Sequence, residues 1–239
     1  MAKKKRDTKS DNKVLASSLS LFAPSMNAFM RNLPTFIILL ALPFAVTLNN
    51  LPNGMSDSNN IAIDTSLILG IIFGVAIFLV IYVILYALIT KLQLEAAKGK
   101  VVSLRQLWAS TKSRIVTFGL LCIAIGTLVA VGLIAFIIPG IIFIRRYAMA
   151  PYILLDNDDM TISEAMRKSS ELSKPYSGYI WGVIVVGILL GSTTAIPFTG
   201  PILSLVLTSI YGIALPLRYL EIKKLGRGHS QRKTRKAIK

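Results

Sequence analysis

Residues Ser66 to Thr90 read SLILGIIFGVAIFLVIYVILYALIT, 25 positions without one charged side chain. As a helix rising about 1.5 Å per residue, this run reaches about 37 Å. That is enough to cross a hydrocarbon core of about 30 Å. Outward from it, Leu33 to Leu51 on one side and Ile115 to Ile138, Tyr179 to Ile196 and Ile202 to Leu220 on the other offer that length or close to it. A sixth run, Pro139 to Leu155, is shorter and carries Arg145 and Arg146. Composition agrees with a bilayer as solvent: 54% of residues are apolar, 16% are charged, and the mean hydropathy is +0.64, outside the range of soluble domains. The predicted fold is all-α, a polytopic integral membrane bundle of about six transmembrane helices with amphipathic helices at the cytoplasmic interface.

The net charge of +16 reads as topology information, not as a nucleic-acid surface, because the basic residues sit in tails and between apolar runs instead of on a folded polar module. Lysine and arginine near span ends are held on the cytoplasmic side. Residues 1–31 carry seven of them, 91–114 six, 156–178 three and 218–239 nine, whereas 49–65, Pro139-Gly140 and the turn from Pro197 to Pro201 carry none. The alternation predicts six spans in the cell membrane with both termini cytoplasmic, and it requires Pro139 to Leu155 to cross. Five spans plus a re-entrant piece is the alternative. The basic start is read as preceding a retained span, since no small-residue cleavage site follows Ala45.

Three amphipathic pieces lie between the spans. From Leu15, the positions Leu19, Phe22, Met26, Phe29, Met30 and Leu33 recur at helical spacing. Ser103 caps a second piece, with Leu104, Leu107 and Trp108 on its apolar side and Arg105, Lys112 and Arg114 open to lipid phosphates. Thr161 and Glu164 form a T-x-x-E capping box for a third, which presents Ile162, Ala165, Met166 and Leu172. The order amphipathic helix, span, span thus occurs three times, over 14–90, 101–155 and 161–221, without residue identity between the copies. Residues 14–221 form the membrane domain; the lysine- and arginine-rich ends, 1–13 and 222–239, are expected to be disordered cytoplasmic tails resting on anionic headgroups.

Arg145 and Arg146 are the charges that need an explanation, because a guanidinium within a span costs a few kcal/mol, about 3 on insertion scales. Three readings stay open: both side chains snorkel to the interface, one meets a lipid phosphate or a polar groove, or one pairs internally with Asp64 or Asp156. The prolines flanking them, in Pro139-Gly140 and Ala150-Pro151, read as a turn and a kink, and Pro43 and Pro216 likewise as kinks. The aspartates Asp156, Asp158 and Asp159 lack the frame and the twelfth-position glutamate of a calcium loop, so no metal site is expected. The one histidine, His229, lies in a tail, the one cysteine, Cys122, lies in an apolar run, and neither a phosphate-binding loop nor a dinucleotide fingerprint occurs. No catalytic residue and no cofactor is assigned. Gly70 with Gly74, and Gly187 with Gly191, are G-x-x-x-G pairs suited to packing within the bundle.

The run IPGIIFIRRYAMAPYILLD from Ile138 to Asp156, followed by ISEAMRKSSELS from Ile162 to Ser173, resembles a bacterial membrane superfamily: the membrane domain attached to some glycerophosphoryl diester phosphodiesterases, with related stand-alone multi-pass proteins. The shared pattern is a proline-glycine turn, an arginine-bearing span, an alanine-proline, a terminal acid and a helix of the form A-x-x-x-S-x-x-L, here Ala165, Ser169 and Leu172. The resemblance implies a stand-alone membrane domain, since the phosphodiesterase activity of that family belongs to a separate soluble barrel. The function expected is non-catalytic: a scaffold or accessory protein whose partners are anionic lipid headgroups or other membrane proteins. Transport of a lipid or solute through a polar groove near Arg145 or Arg146 is the alternative.

Overall fold

A computed structural model describes residues 15–49, 65–197 and 199–237. Among these residues there are only helices, and their order follows the alternation read from the sequence. A 3-10 turn, Leu19–Leu21, leads into α1 (Phe22–Arg31); α2 (Leu33–Asn49) and α3 (Thr65–Ala97) follow. Next come α4 (Leu104–Thr111), α5 (Ile115–Ala135), α6 (Ile137–Tyr147) and α7 (Ala150–Asp156). The last third holds α8 (Ile162–Ser173), α9 (Ser177–Gly191), α10 (Gly200–Tyr211) and α11 (Ala214–Ala237).

Five helical stretches are long and apolar enough to cross a membrane: Ile72–Ala97, Leu104–Ala135, Ile137–Asp156, Ser177–Ala195 and Gly200–Leu225. The chain is therefore an all-α polytopic membrane protein. The sixth expected span corresponds to α2, whose 17 residues stand at the short end of what a bilayer needs, about 17–25. Segment 1–13 lies outside the described residues, whereas most of 222–239, expected to be disordered, continues α11 as helix to Ala237. Lysine, arginine and glutamine are good helix formers, and α11 arrives already nucleated.

Chain reversals put α1, α4, α8 and the C-terminal ends of α3, α7 and α11 at one end of the bundle, here called the polar end. The core is concentrated there. Leu92, Leu94, Leu107, Phe118, Leu121, Met149, Ile153, Leu154, Ile213 and Tyr219 are completely buried. Towards the other end, side chains such as Phe73, Ile134, Phe136, Ile138 and Ile202 stand exposed, as lipid-facing positions do in a helix that meets its partners along only part of its length.

The structure corrects several local readings. The reversal between α5 and α6 is at Phe136, whose extended backbone (φ −159°, ψ 135°) separates the helices, and Pro139-Gly140 lies inside the first turns of α6. Proline at that position gives up no hydrogen bond, because first-turn N–H groups have no intrahelical partner. Pro151 in α7 and Pro216 in α11 likewise begin new helices after breaks at Ala148-Met149 and Gly212-Ile213, so they do not kink continuous ones. Gly140 is there for contact: a Cβ on it would lie 2.5 Å from the Leu133 side chain, and one on Gly132 would lie 2.9 Å from the Gly140 Cα. Gly187 and Gly191 approach Tyr211 and Thr208 at van der Waals distance. Gly70 and Gly74 face open space, with nothing within 4 Å of a Cβ among the described residues. Through the 3-10 turn and α1 the buried stripe is Leu21, Ser25 and Phe29, with Leu19 and Met30 exposed, a rotation from the expected apolar face.

Candidate functional site

The capping boxes position the site. Ser103 accepts from the Gln106 N–H while Gln106 reaches back to the cap, and Thr161 and Glu164 do the same; each box satisfies two otherwise orphaned N–H groups. Held this way, α8 lays Ala165, Ser169, Ser170 and Ser173, all buried, against α6 and α7.

That contact decides the environment of Arg146. Its Nε donates to the Ser170 hydroxyl at 2.6 Å, its guanidinium lies 5.7 Å from the Tyr147 ring centroid, and its carbonyl accepts from Ser169 at 2.8 Å and Ser173 at 3.1 Å. Arg145 sits beside it in the last turn of α6, half-buried, with a buried Nε that has no hydrogen-bond partner among the described residues. Neither arginine forms an ion pair among the described residues, and Asp64 lies outside them.

Asp156, the other expected partner, is engaged elsewhere. It closes α7 and accepts from Tyr219 at 2.8 Å, pairs with Lys98 at 2.9 Å and is also held by Lys223. Lys98 joins it to Glu95 at 2.6 Å, Lys100 reaches Glu95 at 3.4 Å, and Lys91 donates to the Leu155 carbonyl at 2.6 Å. This clasp ties the polar ends of α3, α7 and α11 together, and each acid is over-supplied with cations. Burial of Lys98 disfavours its charge, but the hydrogen bonds to Glu95 and Asp156 outweigh that, and its ammonium is held above the ordinary lysine value. The exposed Glu164 carboxylate is held below its ordinary range by the Thr161 N–H and hydroxyl.

A second cation, Arg218, went unrecognised in the sequence, where it counted with the basic tail. It is fully buried: one nitrogen bonds Glu221 at 2.7 Å, another the Ala16 carbonyl at 2.7 Å, and its guanidinium lies 5.3 Å from the Tyr179 ring centroid. The signal available was an arginine three residues before a glutamate and two after Pro216.

On α4, Arg105 and Trp108 stand exposed, as does Lys112 directly after it, as an interfacial helix requires, while Leu107 is buried. Arg114 is not free: it donates to the carbonyls of Asn157 at 3.3 Å and Met160 at 2.6 Å, holding the loop after α7. A cavity of about 540 Å³ opens beside α6, walled by Tyr82, Tyr86, Cys122, Gly126, Tyr147 and Pro151 among others. Comparison with protein families, with curated proteins and with solved structures finds no match to this chain.

Proposed function

We propose that this chain is a non-catalytic protein of the cell membrane, with both termini cytoplasmic, that serves as a scaffold or accessory factor by holding anionic lipid headgroups at its polar end. The observation that carries this reading is the contrast within the arginine pair. Arg146 is consumed by α8, whereas Arg145, next to it and half-exposed, has no hydrogen bond or ion pair among the described residues. A guanidinium presents five donors in a fork suited to phosphate, and at this height in a span the acceptor within reach is a lipid phosphate. Exposed Arg105 and Trp108 on α4, with Lys112 directly after it, supply the surrounding interfacial belt. The resemblance of Ile138 to Ser173 to a membrane domain whose associated activity belongs to a separate soluble barrel supports a role outside catalysis. The cavity beside α6 has largely apolar walls that suit an acyl chain better than a hydrated solute, which favours lipid holding over passage through a polar groove.

The test is mass spectrometry of phospholipids that remain with the detergent-purified protein. Arg145→Ala is expected to lower the anionic share of retained lipid about fivefold, the equivalent of ~1 kcal/mol for one basic residue at the surface, with the protein still folded. Arg146→Ala is expected to keep the lipid and lose thermal stability. An unchanged lipid profile in folded Arg145→Ala defeats the proposal.

A further inference from the structure

A residue-level register runs through the three amphipathic helices. Ser103 and Thr161 are N-caps, each accepting from the backbone N–H three residues on. Ser17 does the same ahead of α1, its hydroxyl accepting from the Ser20 N–H at 3.2 Å. Four residues after these three positions stand Leu21, Leu107 and Ala165; eight after them stand Ser25, Thr111 and Ser169. All six are buried, the last three completely. Serine and threonine are mostly exposed, so a fully buried hydroxyl at one fixed step from each of these three N–H acceptors marks a shared packing geometry. Ser169 donates to the Arg146 carbonyl, while the hydroxyls of Ser25 and Thr111 have no hydrogen-bond partner among the described residues.

The second span of each triplet carries another register. α3 passes Tyr86-Ala87 and then Leu94-Glu95; α6 and α7 pass Tyr147-Ala148 and then Leu155-Asp156; α10 and α11 pass Tyr211-Gly212 and then Leu220-Glu221. The acid follows the tyrosine by nine, nine and ten residues. Each acid is paired with a cation: Glu95 and Asp156 with Lys98, Glu221 with Arg218. The docking follows the same order. α4 packs on α3, α8 packs on α6 and α7, and α1 packs on α10 and α11. Each amphipathic helix therefore rests on the second span of the triplet before it, and the first rests on the last. Arg218 to the Ala16 carbonyl at 2.7 Å and Tyr211 to the Ser18 carbonyl at 2.9 Å close the circle.

We infer that the chain consists of three tandem copies of one unit, amphipathic helix followed by two spans, closed into a ring whose second spans meet at the centre. In a closed ring of equivalent units, the order second, third, first packs as well as the natural order. The test is a pair of circular permutants, one starting at Val101 and one at Asp158, each with the natural tails joined. Both are expected to insert, to elute with the parent in size-exclusion chromatography and to melt within a few degrees of it. Aggregation of both permutants under conditions where the parent is folded overturns the ring. In the natural chain order, Ser25→Leu, Thr111→Leu and Ser169→Leu are expected to lower Tm by similar margins of several degrees. A large fall at one site with the other two unmoved overturns the register.

Discussion

Arg145, Arg146 and Arg218 share one side chain and have three different environments. Arg218 is fully buried against Glu221, Ala16 and Tyr179. Removing it leaves Glu221 without its ion pair and opens a void beneath Tyr179, so Arg218→Ala is expected to cost about 3 kcal/mol, checked by thermal unfolding in detergent. Lysine at 218 carries the charge without the planar fork and is expected to recover only part of the loss. Asp156→Asn leaves Lys98 and Lys223 facing a neutral amide in the clasp and is expected to be similarly costly by the same assay. The clasp also sets a pH dependence. The folded state raises Lys98 above its ordinary value of 10.5, so its contribution is fully present below that value and is lost as pH rises through the higher folded one. Melting temperature is expected to hold steady across neutral pH and to fall in strongly alkaline buffer, with Lys98→Met removing that part of the fall. Of the residues singled out in the sequence, Arg145, Arg105, Trp108 and Lys112 keep the exposure or the free donor that headgroup contact needs. Arg114 and Arg146 are taken up by carbonyl and hydroxyl partners 23 to 46 residues away, which no local pattern reveals.

At the scale of elements, spacing and caps were readable because they are local. The capping box at Thr161 and the cap at Ser103 follow from residue types three apart, and each span is a long, mostly apolar run. Where reversals fall was less readable. A Pro-Gly pair is a turn signal in water, but first-turn proline is equally suited to opening a helix. Here the α5–α6 reversal uses Phe136, and Gly140 is needed for close approach to Leu133. Gly140→Ala is accordingly expected to destabilise by about 1–3 kcal/mol through overpacking, whereas Gly74→Ala, with open space around it, is expected to be neutral or slightly stabilising through higher helix propensity. Thermal melts of the two variants compare them directly. The buried faces of α1 and α8 were only half readable for a related reason: Ser25, Ser169 and Ser173 lie on the packed side, and a hydroxyl residue on a buried stripe looks polar in any hydropathy pattern.

For the whole molecule, the amphipathic helices and the clasped ends of α3, α7 and α11 make one polar layer, and the spans extend from it into lipid. The class of fold was legible because a bilayer imposes length and polarity on every span. The clasp was not, because Lys98, Asp156 and Lys223 meet across more than a hundred residues of chain. The account depends most on that layer lying on one side of the membrane, which in turn requires Ile137–Asp156 to cross. Cysteine accessibility in sealed inverted and right-side-out vesicles measures it, using single cysteines at Ser113, Phe136 and Ser163 in a chain with Cys122→Ala. The account predicts that Ser113→Cys and Ser163→Cys react with a membrane-impermeant maleimide only in inverted vesicles, and Phe136→Cys only in right-side-out ones. Labelling of Ser113→Cys and Ser163→Cys from opposite sides would contradict it.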